Sequence, residues 1–583
     1  MGKQNGEDLD QDAQERMLKE DSAAKIAIEK DLKDQKDEKT TEVKFISENG
    51  DAKIDIEIVK EVLSGMGKEE LMKFANDPFW VRLRWALFVV FWLIWLAMLG
   101  GAIAIIVMAP KCSAPEPKKL WEESAIVELD VSDITIDLET RIPILDELKN
   151  QHISAISLSS LVKESANGGA VDFKAIKEHL GNTSNLENFI KAAQEKSQQI
   201  FLELDPNYSS VDHPWFKQSV EKKDPFTSYY VWADGITSTD GGKGRPSPPN
   251  NWLSTYGGSA WEWNEQRGQY YLHQFNKSQP DLNYNNPAVV KEFGDILTHW
   301  LKLGISGFRL ANTQYLTEDP DLHDESRSIL PVESSNYQSL VHVHTRDRSE
   351  NAAVLSIWQE IVRNETAGKG LFTLQDDIGA DILQVYNDKT TIDLPQSSHF
   401  LTTANANINA TDLRRSISQW LAVTPWPAWN VNGKQRSLRQ RMPKDNADSI
   451  VLMTMLLPGT PILRLEDVTS AKDAFATLSS ARNSLTFLYG NTTLRIVNGT
   501  VFVYARSWLK SGNPGYLVAY QTGTEQATIN LSGIPRISEE INVVAHSPNY
   551  KQDQEVIKTK LPSNAVPISP KSTLVLTFVP KES

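Results

Sequence analysis

A single cysteine, Cys112, stands in 583 residues. Its isolation excludes an internal disulfide framework and every metal site built from several thiolates. Basic residues are in deficit too: 60 Lys and Arg against 75 Asp and Glu give a formal net charge of −15. Nucleic acid is therefore not expected as a partner, because no basic face dominates. Gly (31) and Pro (28) are too sparse for a collagen-like or wholly disordered chain. Long apolar runs are also scarce. The run 450–463 is short and broken by Pro458, Gly459 and Pro461, which leaves one candidate membrane crossing.

That crossing is 85–108, 24 residues without a charge, bounded by Arg82 and Arg84 before it and by Pro110 and Lys111 after it. As a helix it measures about 36 Å, enough for a hydrocarbon core of about 30 Å. It lies well inside the chain and no small-residue cleavage pattern follows it, so an anchor in lipid is expected rather than a cleaved signal peptide. Lys68, Lys73, Arg82 and Arg84 before the span slightly outweigh Lys111, Lys118 and Lys119 after it, which favours a cytosolic N-terminus. Asn-x-Ser/Thr sequons point the same way. Eight follow the span, at Asn182, Asn207, Asn276, Asn364, Asn409, Asn491, Asn498 and Asn530, and none precedes it. The expectation is a single-pass type II protein with a cytosolic N-terminus and a large glycosylated ectodomain outside. Within the span, Ala97, Gly100, Gly101 and Ala104 form a small-residue face of the kind that lets membrane helices approach closely.

Residues 1–84 hold 15 Lys and Arg and 21 Asp and Glu, with Phe45 the only aromatic before Phe74. Such a tail cannot bury enough apolar surface to offset its ordering entropy, although 54–76 has the pattern of short helices. A linker at 109–119 follows. From 120 to 478, apolar strands (153–158, 200–204, 306–311, 371–374, 461–465) alternate with amphipathic helices (142–150, 186–196, 287–303, 351–362). Repeated β–α units favour a (β/α)₈ TIM barrel. Residues 212–286, dense in Trp, Tyr, Asn, Gly and Pro, read as an inserted loop domain. Residues 479–583 switch to period-two strands such as 500–505, 515–521 and 573–578, which predicts a C-terminal antiparallel β domain. The expected fold class is thus one transmembrane helix followed by an α/β ectodomain.

Several strings in this region carry a resemblance. His213-Pro-Trp-Phe, Tyr229-Tyr-Val-Trp, the stretches 248–252, 257–263, 270–275 and 279–283, and further on Gly307-Phe-Arg and Leu457-Pro-Gly-Thr-Pro are similar to animal α-glucosidases of the α-amylase superfamily. The resemblance covers roughly 120–580 and implies a barrel, an inserted loop domain and a C-terminal β-sandwich. A retaining glycosidase of this kind needs two carboxyl groups about 5 Å apart. The resemblance places the nucleophile one apolar residue after Gly307-Phe308-Arg309, where Ala311 stands. The acid falls on Leu374 or Gln375, the third carboxylate on Asn432, and the early motif's terminal His on Tyr208. An Asp-rich calcium loop expected near the first strand is missing as well. No catalytic residue, metal ligand or cofactor site is therefore expected, and Asp376, Asp377, Glu466 and Asp467 are read as loop or structural carboxylates.

The membrane region, Trp80-Val-Arg-x-Arg-Trp-Ala-Leu through Ile105-Ile-Val-x-Ala-Pro-Lys-Cys112, resembles the heavy chain of heteromeric amino-acid transporters, the ancillary glycoproteins of solute carrier family 3. That resemblance implies a polytopic amino-acid permease as light chain, held by transmembrane contact and by a disulfide at Cys112. An unpaired cysteine in an oxidising compartment implies an intermolecular bond or a reactive thiol, and a second copy of this chain is the rival partner. The inserted loop domain departs from the heavy chain closest in the membrane region, which leaves the light chain open. Two other readings stand beside this one: a membrane-anchored α-glucosidase with relocated carboxylates, and a carbohydrate-binding receptor using Trp252, Trp261 and Trp263.

Overall fold

The computed structural model describes residues 68–109, 115–132, 137–237, 245–389, 392–434, 436–508, 512–551 and 559–581. The chain divides into two units, Met1–Ala114 and Pro115–Ser583. In the first, a short helix Lys68–Ala75 precedes a 31-residue helix, Pro78–Met108. The long helix begins seven residues before the charge-free run. Asp77 caps it by accepting from the Phe79 N–H at 3.1 Å, Pro78 occupies the first turn, and Arg84 donates to the Ala75 carbonyl at 2.6 Å. Its apolar window has a mean hydropathy of 2.5 and is 0% buried by protein, long and apolar enough to cross a membrane. Cys112 lies outside the described residues.

The second unit is built on a parallel barrel. Strands β1 (Ile126–Asp130), β2 (Ala155–Ser159), β3 (Gln199–Leu204), β4 (Gly307–Leu310) and β5 (Leu371–Leu374) pair in sequence order. Strands β6 (Ala428–Asn430) and β7 (Thr460–Arg464) pair with each other, and β7 returns to β1. The gap between β5 and β6 is closed by the segment 393–396, which bends at Leu394 (φ 49°) and bridges in parallel from Gln396 to Ala428. There the Asp393 N–H donates to the Phe372 carbonyl at 3.0 Å, and the Ala428 N–H donates to the Pro395 carbonyl at 3.1 Å. Seven strands and this bent segment thus complete the ring.

The period of two along each strand sorts the barrel interior into two sets. Trp121, Ile126, Ala155, Phe201, Leu371, Leu394, Ala428 and Ile462 form one apolar cluster at the N-terminal end. Two residues further along each strand the same face presents Glu128, Ser157, Glu203, Thr373, Gln396, Asn430 and Arg464, joined by Arg309 from β4. The barrel is therefore dry at its base and polar at its C-terminal mouth. In β4 the base position is Gly307, at φ +151°. A Cβ there would lie 2.2 Å from the Leu371 carbonyl oxygen on β5, so no side chain fits.

Helices Pro143–Asn150, Thr183–Glu195, Pro287–Lys302 and Asn351–Glu365 lie on the outer face, their buried stripes joining the main core. Between β3 and helix Pro287–Lys302, a three-stranded sheet (Trp232–Ala233, Gln269–Leu272, Trp261–Asn264) packs around Trp252 and Trp261, stacked 5.7 Å apart. At the C-terminus a six-stranded antiparallel sheet faces the pair Ala527–Ile529 and Val566–Ile568 across a second apolar core. Its other face is seated on helix Lys444–Thr454. Tyr504 donates to the Met453 carbonyl at 2.6 Å, and Thr573 donates to the Ser449 carbonyl at 2.7 Å.

Candidate functional site

The polar mouth opens into a cavity of about 910 Å³ whose floor includes Glu128, Glu203, Arg309, Gln375, Asn432 and Arg464. At its centre the Arg309 Nη1 lies 2.8 Å from the Glu128 carboxylate and 2.5 Å from that of Glu203. Ser157 donates to Glu203 at 2.9 Å, and Gln375 donates through Nε2 to its second oxygen. The Arg309 side chain is 1% exposed. Burial pushes the Glu203 carboxyl up to about 7, with Arg309 opposing the shift and Glu128 reinforcing it. A single guanidinium therefore serves two carboxylates, and one of them holds its proton more tightly than a free glutamate does.

Ala311 continues the inward face of β4 two residues beyond Arg309, and its N–H donates to the Leu204 carbonyl at 2.9 Å. The barrel thus presents a methyl group at the strand end where a nucleophilic carboxylate is expected. Of the two positions considered for the acid, Leu374 points outward into the main core, at 5% exposure, and only Gln375 lines the cavity. Gln375 donates to Glu203 and cannot titrate. Asn432 is engaged on both sides: its Nδ2 donates to Asp467 at 2.8 Å, and its Oδ1 accepts from the Leu438 N–H at 2.9 Å. Tyr208 packs against Phe275 with ring centroids 5.2 Å apart, and its phenol is pushed above the usual range by burial and by Asp205.

A second network forms the rim. Asn312 adopts a left-handed conformation (φ 54°), accepts from Lys434 at 3.3 Å, donates its backbone N–H to Asp376, and donates Nδ2 to Asp205. Lys434 pairs with Asp376. Burial pushes the Asp205 carboxyl up to about 6, opposed by the Asn207 N–H and by Lys434. Asp376, read from sequence as a loop carboxylate, is thus engaged by Asn312 and Lys434.

The sequon at Asn207 requires correction. Asn207 is 1% exposed and its Nδ2 donates to the Tyr315 carbonyl at 2.7 Å, so a folded chain cannot carry a glycan there. Asn182, Asn276, Asn364, Asn409, Asn491, Asn498 and Asn530 are exposed. The carbohydrate-receptor reading loses two of its three tryptophans in the same way. Trp252 and Trp261 are 1% and 3% exposed, and their indoles donate to the His323 carbonyl and to Asn250.

One group of residues was missed in sequence. Asn207, Asp281 and Glu318 converge under the loop domain, where Gln274 donates to Glu318 and to the Tyr315 carbonyl, each at 3.1 Å. Burial pushes Asp281 and Glu318 well above the usual carboxylate range, and Asp281 adds to the shift of Glu318. Asn207 Oδ1 and Glu318 Oε2 are buried with no hydrogen-bond partner among the described residues. Two carboxylates, an amide oxygen and a carbonyl make a donor set suited to an oxygen-preferring cation of the calcium class. No sequence spacing signals it, because its members come from separate loops 207–318.

Comparison with known proteins agrees with this architecture. The family described as alpha amylase, catalytic domain, matches residues 133–454, and that described as solute carrier family 3 member 2 N-terminus matches 51–127. Maltase 1 of Drosophila virilis is 34% identical over 305 residues, covering 50% of this chain and 48% of its own length, so the chain spans about half of that relative. The amino acid transporter heavy chain SLC3A1 of Rattus norvegicus is 26% identical over 507 residues, 80% of this chain and 69% of that one. Among solved structures, Bacillus licheniformis trehalose-6-phosphate hydrolase superposes with a TM-score of 0.66 at 17% identity, covering 79% of this chain and 100% of that chain. With its barrel matched over more than half the chain, this chain belongs to the α-amylase family, and ahead of the barrel it carries a segment similar to the N-terminus of solute carrier family 3 member 2.

Proposed function

We propose that the chain is a catalytically silent subunit that carries a polytopic amino-acid permease to the plasma membrane and stabilises it there. The observation that supports this most is Ala311 at the end of β4, above an Arg309–Glu128–Glu203 cluster whose charges are met internally. A methyl group cannot attack an anomeric carbon, and neither Gln375 nor Asn432 can exchange a proton at neutral pH. The N-terminus lies in the cytosol, and the barrel with its exposed sequons lies outside. The light chain is held by the face of Ala97, Gly100, Gly101 and Ala104 and by an intermolecular disulfide at Cys112. The similarity to amino acid transporter heavy chains over 80% of this chain supports the partner class. Purification without reductant, followed by identification of the adduct, tests the reading. A polytopic permease linked through Cys112 is expected, and an adduct containing only this chain overturns it.

One observation favours a rival enzyme. Glu128 and Glu203 reach the same cavity, and Glu203 has the raised proton affinity of a general acid. Arg309, however, occupies the space between them, where a glycosidic oxygen would have to enter. Turnover of an aryl α-glucoside by the purified chain, lost in Glu203→Gln, would establish the rival; no turnover is expected.

A further inference from the structure

Away from the cavity, the connection between β4 and helix Asn351–Glu365 brings two imidazoles onto one carboxylate oxygen. Asp319 Oδ2 lies 2.6 Å from His323 Nδ1 and 3.0 Å from His344 Nδ1. The donor atoms of all three residues fall within 4.8 Å of one another, and no other trio of His, Cys, Asp or Glu converges in this way among the described residues.

The backbones around the trio are held by further contacts, and the His323 N–H itself donates to Asp319 Oδ2 at 3.4 Å. The Asp319 N–H donates to the His344 carbonyl at 2.9 Å, which ties two ligands together directly. Glu325, 3% exposed, accepts from the N–H groups of Val343 and His344 at 3.0 and 2.9 Å and from the Thr345 hydroxyl at 3.1 Å, fixing the turn that carries His344. His323 is turned back toward Asp319 by Leu322, whose backbone is left-handed (φ 55°), and its carbonyl accepts from the buried Trp252 indole at 2.8 Å. A framework of this kind, set before a ligand arrives, is what a metal site requires.

We propose that Asp319, His323 and His344 form a surface site for a zinc-class divalent cation. Two imidazole nitrogens and one carboxylate oxygen are borderline donors that suit zinc, whereas calcium would find two of the three to be nitrogen. Donors about 2.0–2.2 Å from a tetrahedral ion stand about 3.3 Å apart, so the two spacings to Asp319 need to open by less than about 1 Å, and the imidazole nitrogens, within 4.8 Å of each other, need to close by at most about 1.5 Å. The side chains are 11%, 64% and 27% exposed for Asp319, His323 and His344. An ion held here keeps a fourth position toward solvent, open to water or to a ligand from another protein.

The competing arrangement is a plain hydrogen-bonded trio in which both rings donate to Asp319. Calorimetric titration of ZnCl₂ into the chelator-treated, untagged full chain in detergent separates the two. One saturable site is expected, weakened at least about 10-fold in His323→Ala and again in His344→Ala, and unchanged in His179→Ala, which alters an exposed histidine elsewhere. Cobalt(II) should give the visible absorption of a tetrahedral ion in the wild type. His323→Cys, which restores a metal donor but not an imidazole, should retain that absorption, shifted by the thiolate. Absence of a saturable site, or undiminished zinc affinity in the His323→Ala/His344→Ala double variant, overturns the proposal.

Discussion

Replacing Arg309 with methionine would test whether the barrel mouth has become a self-contained ionic core. Arg309 is 1% exposed and makes both of its ionic contacts through Nη1, 2.8 Å from Glu128 and 2.5 Å from Glu203. Methionine removes the counter-ion and leaves two carboxylates, 17% and 11% exposed, facing each other at the barrel centre. Breaking a buried pair in this way costs about 3–5 kcal/mol. The unit Pro115–Ser583 contains 469 residues; at about 2.1 cal/mol/K per residue its unfolding entropy is about 1 kcal/mol/K, so the thermal midpoint should fall by about 3–5 °C. The pH dependence has a definite sign. Burial raises Glu203 to about 7 in the folded chain, so between its ordinary value and about 7 the folded state binds a proton that the unfolded state lacks, and stability falls as pH rises through that window. Loss of Arg309 raises Glu203 further. The deficit should therefore be largest near pH 8 and shrink toward pH 5, where Glu203 is protonated with or without the arginine. Arg309→Met combined with Glu128→Gln and Glu203→Gln should recover most of the loss, because no charge is then left unpaired. Melting curves of the full chain at the two pH values decide it. An Arg309→Met variant as stable as wild type at pH 8, or a deficit independent of pH, would refute the reasoning.

Ala311→Asp alone should yield no aryl α-glucoside turnover, because Gln375 and Asn432 still lack ionisable groups and catalytic groups act as a unit; measurable hydrolysis would mean that another carboxyl serves as the acid. Cys112→Ser should abolish the high-mass species on non-reducing gels yet leave much of the permease in detergent pull-downs, since close helix packing persists; complete loss of co-purification would make the disulfide the main tie. Glycopeptide mapping should find Asn207 unoccupied and glycans confined to the seven exposed sequons, and an occupied Asn207 would contradict its burial beneath Tyr315. Gly307→Ala should prevent normal folding, read as lost surface expression, because the new methyl would meet the Leu371 carbonyl at 2.2 Å; wild-type yield would show that β4 and β5 can part.

Sequence alone carried the elements whose signals are local. The charge-free run 85–108 forms part of a helix, Leu371–Leu374 and Thr573–Phe578 are strands as read, and helix Pro287–Lys302 starts at its proline. The place of Ala311 at the end of β4 was legible for the same reason, since it sits in a short string with a regular strand beneath it. Strand β1, Ile126–Asp130, went unread because Glu128 and Asp130 break its apolar run, and Ala428–Asn430 and 393–396 are too short to carry a period. Those segments take their places only because the ring must close, and each borrows its hydrogen bonds from neighbours distant in sequence. The same holds for the chemistry. Glu128, Glu203 and Arg309 meet because alternate residues of three strands face one axis. Asn207 loses its sequon to a carbonyl more than 100 residues away, and Asp319, His323 and His344 converge through a loop pinned by Trp252. Burial and partnership are properties of the assembled barrel, and it is burial that turns Glu203 from an ordinary acid into one that holds its proton to about pH 7.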